Sequence, residues 1–190
     1  MGKRPAEGWT FPFRLRHIDL RGRVSPTDLL ASLFTSSFHT LTSIDLSMNT
    51  QNLIPIFDLP SFKSIAPRIL SLALNAYIPD THATILGLFT SLTTLSFPTT
   101  ASITKVVALL DYLPSNEPTI ERLVLGARPL AQRSVTEFGT VVTHVSMTAL
   151  KEAVFCEVEP GLQMAVLREM QEAFPAVKMA WGGGEPASLR

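Results

Sequence analysis

Leu41-Thr42-Ser43-Ile44-Asp45-Leu46 matches Leu15-Arg16-His17-Ile18-Asp19-Leu20 at four of six positions, and both read aliphatic-x-x-aliphatic-x-apolar. The same frame fits Ile69, Leu72 and Leu74, then Leu92, Leu95 and Phe97, then Ile120, Leu123 and Leu125. Leu150, Ala153 and Phe155 fit it less closely, and Val177-Lys178-Met179-Ala180-Trp181 is a last echo. First positions fall at 15, 41, 69, 92, 120, 150 and 177, so a unit of about 27 residues recurs along the chain. Periods of this size are the mark of a repeat architecture.

Within each frame apolar and mostly polar residues alternate, which is the pattern of a strand with one buried face. His17-Ile18-Asp19-Leu20-Arg21 shows it best. The intervals are long enough to hold a helix that returns the chain. Ser25-Pro26-Thr27-Asp28 supplies an N-cap, a proline in the first turn and an early acid ahead of Leu29, Leu30, Leu33 and Phe34. Pro79-Asp80-Thr81 precedes Ile85, Leu86, Leu88 and Phe89 in the same way. Ser102 leads into Ile103 to Leu113 with Pro114 as the stop, and Glu159-Pro160 opens a helix that runs to Phe174 and Pro175. Between Gln51 and Pro67, Pro55, Pro60 and Pro67 break any long helix, and a loop with one short turn is expected.

A strand-helix unit repeated in this way closes as a doubly wound sheet or as a solenoid. Strands covered by helices on both faces read as continuous apolar runs. Here Thr42 to Ser47 and Leu92 to Phe97 leave every second side chain polar, so one sheet face is expected to meet solvent. The expected fold is α/β, a right-handed β-α solenoid of six to seven irregular repeats with a curved parallel sheet on its concave face.

The frames resemble leucine-rich repeats of the longer, helix-containing, ribonuclease-inhibitor-like kind. Leu41-x-x-Ile44-x-Leu46-x-x-Asn49 matches the family motif through its ninth-position asparagine. Arg23, Tyr77, Thr100, Arg128 and Val158 stand at that place in the other units, so the repeats depart from the asparagine ladder of the family. Such Leu-, Ser- and Thr-rich irregular repeats are similar to those that follow the F-box in fungal F-box proteins. The resemblance implies a horseshoe that recognises proteins and, in that setting, the substrate-recognition part of a ubiquitin ligase. An adaptor contact would require an F-box supplied elsewhere, since only a dozen residues precede the first frame and the chain reads as the repeat part alone. The expected organisation is an N-terminal extension over 1–12, the repeat domain over 13–181 and a flexible tail over 182–190, with Trp9, Phe11 and Phe13 as a lid on the first repeat.

Composition bounds the function. Of 190 residues 46% are apolar and 17% charged, and 16 basic residues balance 16 acidic ones. A neutral chain lacks the basic field that nucleic-acid binding uses, so nucleic acid is not an expected partner. No apolar run approaches the roughly 20 residues that span a bilayer, and no membrane partner is expected. One cysteine excludes a disulfide scaffold, the basic start of the chain is broken by Pro5, Gly8 and Pro12, and no Asn-x-Ser/Thr acceptor occurs. An intracellular site, cytoplasmic or nuclear, is expected.

The residue pattern carries no catalytic or metal assignment and no cofactor. His17, His39, His82 and His144 make no i, i+3 or i, i+4 pair, Cys156 follows the strand alternation, and no Gly-x-Ser-x-Gly elbow occurs. Gly182-Gly183-Gly184 lacks the Lys-Ser/Thr and helix of a phosphate loop. Asp19 and Asp45 share one frame position and are expected side by side, turned to solvent. The residues that flank the buried positions are expected to line a protein-binding concave face: His17, Asp19 and Arg21; Ser43, Asp45 and Ser47; Ser71, Ala73 and Asn75; Thr94 and Ser96; Arg122 and Val124; Glu152 and Val154. Its early rows are polar and its later rows more apolar. The chain is therefore expected to be a non-enzymatic interaction module for a protein partner. The competing class is a small α/β enzyme, which would need a pocket with convergent polar groups at the strand ends.

Overall fold

Every frame becomes a strand. In the computed structural model these are β1 (His17–Asp19), β2 (Ser43–Leu46), β3 (Ser71–Leu74), β4 (Thr94–Phe97), β5 (Arg122–Gly126), β6 (Glu152–Cys156) and β7 (Lys178–Gly182). They form one parallel sheet in the order β1-β2-β3-β4-β5-β6-β7, each hydrogen-bonded to its neighbours in sequence. The structure describes residues 11–12, 14–20, 27–48, 50–74, 77–98, 103–114, 119–126, 134–156 and 160–182, with backbone alone at 50–51, 134–135, 160–166 and 181. The expected cap at Ser25-Pro26, the aromatic lid residues Trp9 and Phe13, Asn49, Arg21, Asn75, Ser102, Glu159 and the tail from Gly183 onward lie outside the described residues.

Between strands run α1 (Thr27–Ser36), α2 (Thr50–Phe57), α3 (Pro60–Ile65), α4 (Asp80–Ala83), α5 (Ile103–Leu110), α6 (Ser134–Val142) and α7 (Pro160–Ala173). Tighter 3-10 turns follow α3, α4 and α6 at Ala66–Arg68, Thr84–Leu88 and Val145–Met147. Each of these seven helices contributes buried residues to the same cluster that holds Ile44, Leu72, Leu95 and Leu123 of the strands. They therefore pack on one sheet face. Crossovers that are right-handed and always step to the next strand in one direction put every helix on one side. Among the described residues no helix is long and apolar enough to cross a membrane.

Threonines stitch successive units. Thr40 and Thr119, one residue before their frames, donate from Oγ1 to the first-position carbonyls of the preceding units, Leu15 O at 2.8 Å and Leu92 O at 2.6 Å. The core is aromatic between units as well. Phe62 meets Phe34, Phe57 and Phe89 at centroid distances of 5.6, 5.7 and 6.1 Å, and Phe138 meets Phe155 and Phe174 at 5.3 and 5.7 Å.

Four expectations change. The segment 51–67 is not a loop: it holds α2 and α3, with Leu53, Ile56, Phe57, Phe62 and Ile65 fully or almost fully buried. Pro60 starts α3, where its missing N–H costs little. Pro55 sits inside α2 and removes one donor, a local cost set against the apolar burial around it. The helix expected after Pro79 is a single turn, and the rest of that segment tightens to 3-10 geometry. In the last unit the register pairs Glu152 with Lys178, so its frame begins at Ala176 and not at Val177. Finally, the second sheet face is not uniformly open: Asp45, Ser71, Ala73, Val124, Val154 and Cys156 on that face are buried. Strands are only about 4.8 Å apart, so side chains on neighbouring strands crowd one another on this face.

Candidate functional site

Strand alternation sends the residues opposite the core to the second face. Parallel register then stacks them into rows across the sheet. One row is His17, Ser43, Ser71, Thr94, Arg122, Glu152 and Lys178, and the next is Asp19, Asp45, Ala73, Ser96, Val124, Val154 and Ala180. The sequence-derived face thus assembles at every position within the described residues, with Ser47 just beyond β2. Lys178 and Ala180 belong to it too. They were missed because the echo at Val177 is one residue out of register; the polar residue ahead of Met179 was the available signal.

The face has two halves. At the β1–β3 end His17 Nδ1 and Ser43 Oγ lie 2.9 Å apart. Asp19 and Asp45 are register partners, and the Ser47 backbone N–H donates to Asp45 Oδ1 at 2.9 Å. Asp45 does not point into solvent as expected, for only 7% of it is exposed. Around it the hydroxyls of Ser47 and Ser71 are buried and make no hydrogen bond among the described residues. At the β5–β7 end Glu152 is shared: Arg122 Nε is 3.0 Å from Oε2 and Lys178 Nζ 3.1 Å from Oε1. Arg122 Nε is buried and has no aligned hydrogen-bond partner, so that contact is charge pairing between two partly exposed side chains. Beyond it Val124, Val154 and Cys156 form a small apolar cluster with Ala180 against it. Cys156 is thus a buried small side chain on the sheet.

A second constellation was not legible in the sequence. His144 Nε2 is 3.0 Å from Asp111 Oδ1, and its Nδ1 is 2.7 Å from Ser146 Oγ. Nδ1 also accepts the Ser146 backbone N–H at 3.3 Å, which assigns the ring proton to Nε2, facing Asp111. Acid, imidazole and hydroxyl thus stand in the order used by serine hydrolases. Their setting differs from such a site. His144 is the N-cap of the turn Val145–Met147, Ser146 is 2% exposed and the Asp111 side chain 68% exposed. The pocket that Ser146 lines with Phe89, Leu92, Leu113 and Ile120 encloses about 10 Å³, the room of one water. It lies before β4 and β5, whereas ligands of open α/β sheets sit beyond the carboxyl ends of the strands. The trio acts as a clasp that ties the turn before β6 to the end of α5. No three of His, Cys, Asp and Glu gather to hold a metal ion among the described residues.

Neither protein-family models nor curated proteins give a match to this chain.

Proposed function

We propose that the chain is a leucine-rich-repeat-like β-α solenoid and works as a non-enzymatic module that binds a protein partner on the concave, second face of its sheet. The observation that supports this is the pair of register-aligned rows from β1 to β7, a mixed polar surface on the side of the sheet away from the helices. Solenoids use such extended surfaces for partners. The polar β1–β3 half supplies specificity through hydrogen bonds and charge, and the apolar β5–β7 half supplies burial. Within that reading the setting is intracellular, and the chain serves as a substrate-recognition part of an F-box-type ubiquitin ligase when another segment or subunit brings the F-box.

The test blocks the middle of the face. Thr94→Arg with Ser96→Arg places two long cations where half-buried short side chains stand on β4. Thr104→Arg, exposed on α5, is the control. Tagged wild-type and variant proteins, each checked by circular dichroism for native content, are used for capture from the native cell. Partners retained by wild type and Thr104→Arg and lost by the β4 variant are the expected result. Identical partners for all three proteins reject this face.

A further inference from the structure

Among the described residues β7 pairs with β6 and with no strand beyond it. Its five residues exceed the three of β1 at the other end of the sheet. An edge strand offers a row of N–H and C=O groups to any other strand, and a longer edge offers more of them. The direction of each group follows from the pairing. Lys178 N–H donates to Lys151 O at 2.8 Å, so Lys178, Ala180 and Gly182 turn their backbone groups to β6. Val177, Met179 and Trp181, the alternate residues, turn theirs to the outer edge.

Gln171 of α7 occupies the start of that edge. Its Nε2 donates to Val177 O at 3.1 Å, and its Oε1 accepts the Met179 N–H at 2.9 Å. A residue of a further parallel strand facing Lys178 would make this same pair of bonds, one to the carbonyl before Lys178 and one from the N–H after it. One side-chain amide thus stands in for one residue of a next strand. The Val177 N–H is spent on Phe174 O at 3.0 Å, which ends the edge on that side. Gln171 is only half-buried, so water could satisfy the same two groups and the bonds contribute little to folding. What the amide changes is whether another strand can approach.

We propose that the outer edge of β7 is a strand-pairing surface for a second copy of this chain, and that Gln171 keeps it closed. The edge is complementary to itself. Antiparallel overlap of Lys178–Gly182 with the same strand of a second copy centres on Ala180 and sets Met179 opposite Trp181, both with their backbone groups turned into the pair. Lys178 then faces Gly182, so no like charges are directly opposed. A two-fold pairing of this kind closes at the dimer. Gln171 prevents it by holding the Met179 N–H in each copy.

The test compares the full wild-type chain with Gln171→Met, which keeps a long side chain and a good helix former while removing the donor and the acceptor. Gln171→Ala is read in the same way if the methionine variant does not fold by circular dichroism. Sedimentation velocity at about 0.5 mM, where micromolar to millimolar contacts register, should give a monomer for wild type and a dimer for the variant. Amide exchange at Met179 and Trp181 should slow about tenfold or more from dilute to concentrated variant, while β2 and β3 stay unchanged. Adding Ala180→Lys to Gln171→Met should restore the monomer, since two lysines would then meet across the axis. A variant that stays monomeric, a dimeric wild type, or a dimer with unchanged exchange at Met179 and Trp181 overturns the proposal. So does a dimer that survives Ala180→Lys, or growth into longer polymers, which need a second surface. Because this surface is the strand edge, these outcomes leave the partner reading of the second face as it stands.

Discussion

At the scale of single residues, the tightest constraint on the second face is a glycine. Gly126 ends β5 beside Pro98, and a Cβ there would lie 2.2 Å from the Pro98 carbonyl oxygen and 2.6 Å from its carbon. Both atoms are backbone, so relief requires the chain to move apart just past the last pair of β4 with β5, Phe97 and Leu125. Gly126→Ala should lower stability by about 1–3 kcal/mol, the cost of overpacking a well-filled site. Gly87 is the control, because its added Cβ would meet Tyr112 O at 3.4 Å, an ordinary contact. Gly87→Ala should change stability by less than about 1 kcal/mol, with reduced chain entropy in its favour. Urea unfolding measures both as midpoint shifts at constant slope. Equal midpoints for the two variants would show that β4 and β5 adjust freely. The buried Asp45 belongs at this scale too. Alternation placed it on the correct face, but its burial depends on the sizes of neighbours from other strands, which no local pattern encodes.

At the scale of elements, Phe62 on α3 joins three other aromatic rings, Phe34 of α1, Phe57 of α2 and Phe89 just past the turn after α4. Phe62→Ala should cost about 3–5 kcal/mol, since a fully buried ring leaves a cavity that several units line. Phe38→Ala, at a partly buried ring under Arg68, should cost clearly less. Thermal and urea unfolding would compare them, and a Phe62 variant as stable as the Phe38 variant would remove the ring from the centre of the core. The segment 51–67 that carries Phe62 was also the segment read as a loop. Its prolines are strong local breakers, yet Pro60 merely opens α3, and the tertiary burial of Phe62 and Ile65 outweighs Pro55 in α2. Strands were legible because alternation and the frame Leu41-x-x-Ile44-x-Leu46 repeat the same burial decision six times. Helix α6 was not, for Val135, Thr136, Gly139, Thr140, Val141 and Val142 are poor helix formers. It persists because Phe138 and Val141 are fully buried. The last strand was found but misplaced by one, because Val177 is apolar and buried although it stands outside the frame. The face residues followed from the strands, while the clasp of Asp111, His144 and Ser146 did not, because it joins groups 33 residues apart through the tertiary fold.

For the whole molecule, the order β1 to β7 means that each strand pairs only with the strands before and after it in sequence. Among the described residues no strand returns to close the sheet, and the helices repeat this neighbour logic, with α5 against α6 and α6 against α7. In such an array stability is close to a sum of unit and interface contributions, and damage should stay near its origin. Phe138 offers the cleanest trial: it is fully buried and touches Phe155 of β6 and Phe174 just past α7. Phe138→Ala should therefore accelerate amide exchange in β6, α7 and β7 by about tenfold or more. That factor corresponds to about 1.4 kcal/mol of the loss reaching local opening. The amides of β2 and β3, whose core is built around Phe34 and Phe62, should change by less than about threefold. Hydrogen exchange read by mass spectrometry resolves the two regions in one experiment. Equal acceleration from β2 to β7 would mean that the sheet opens as one cooperative unit. In that case the interfaces between units dominate the units themselves, and a partner held at the β1–β3 end would stabilise the far end of the sheet as strongly as its own.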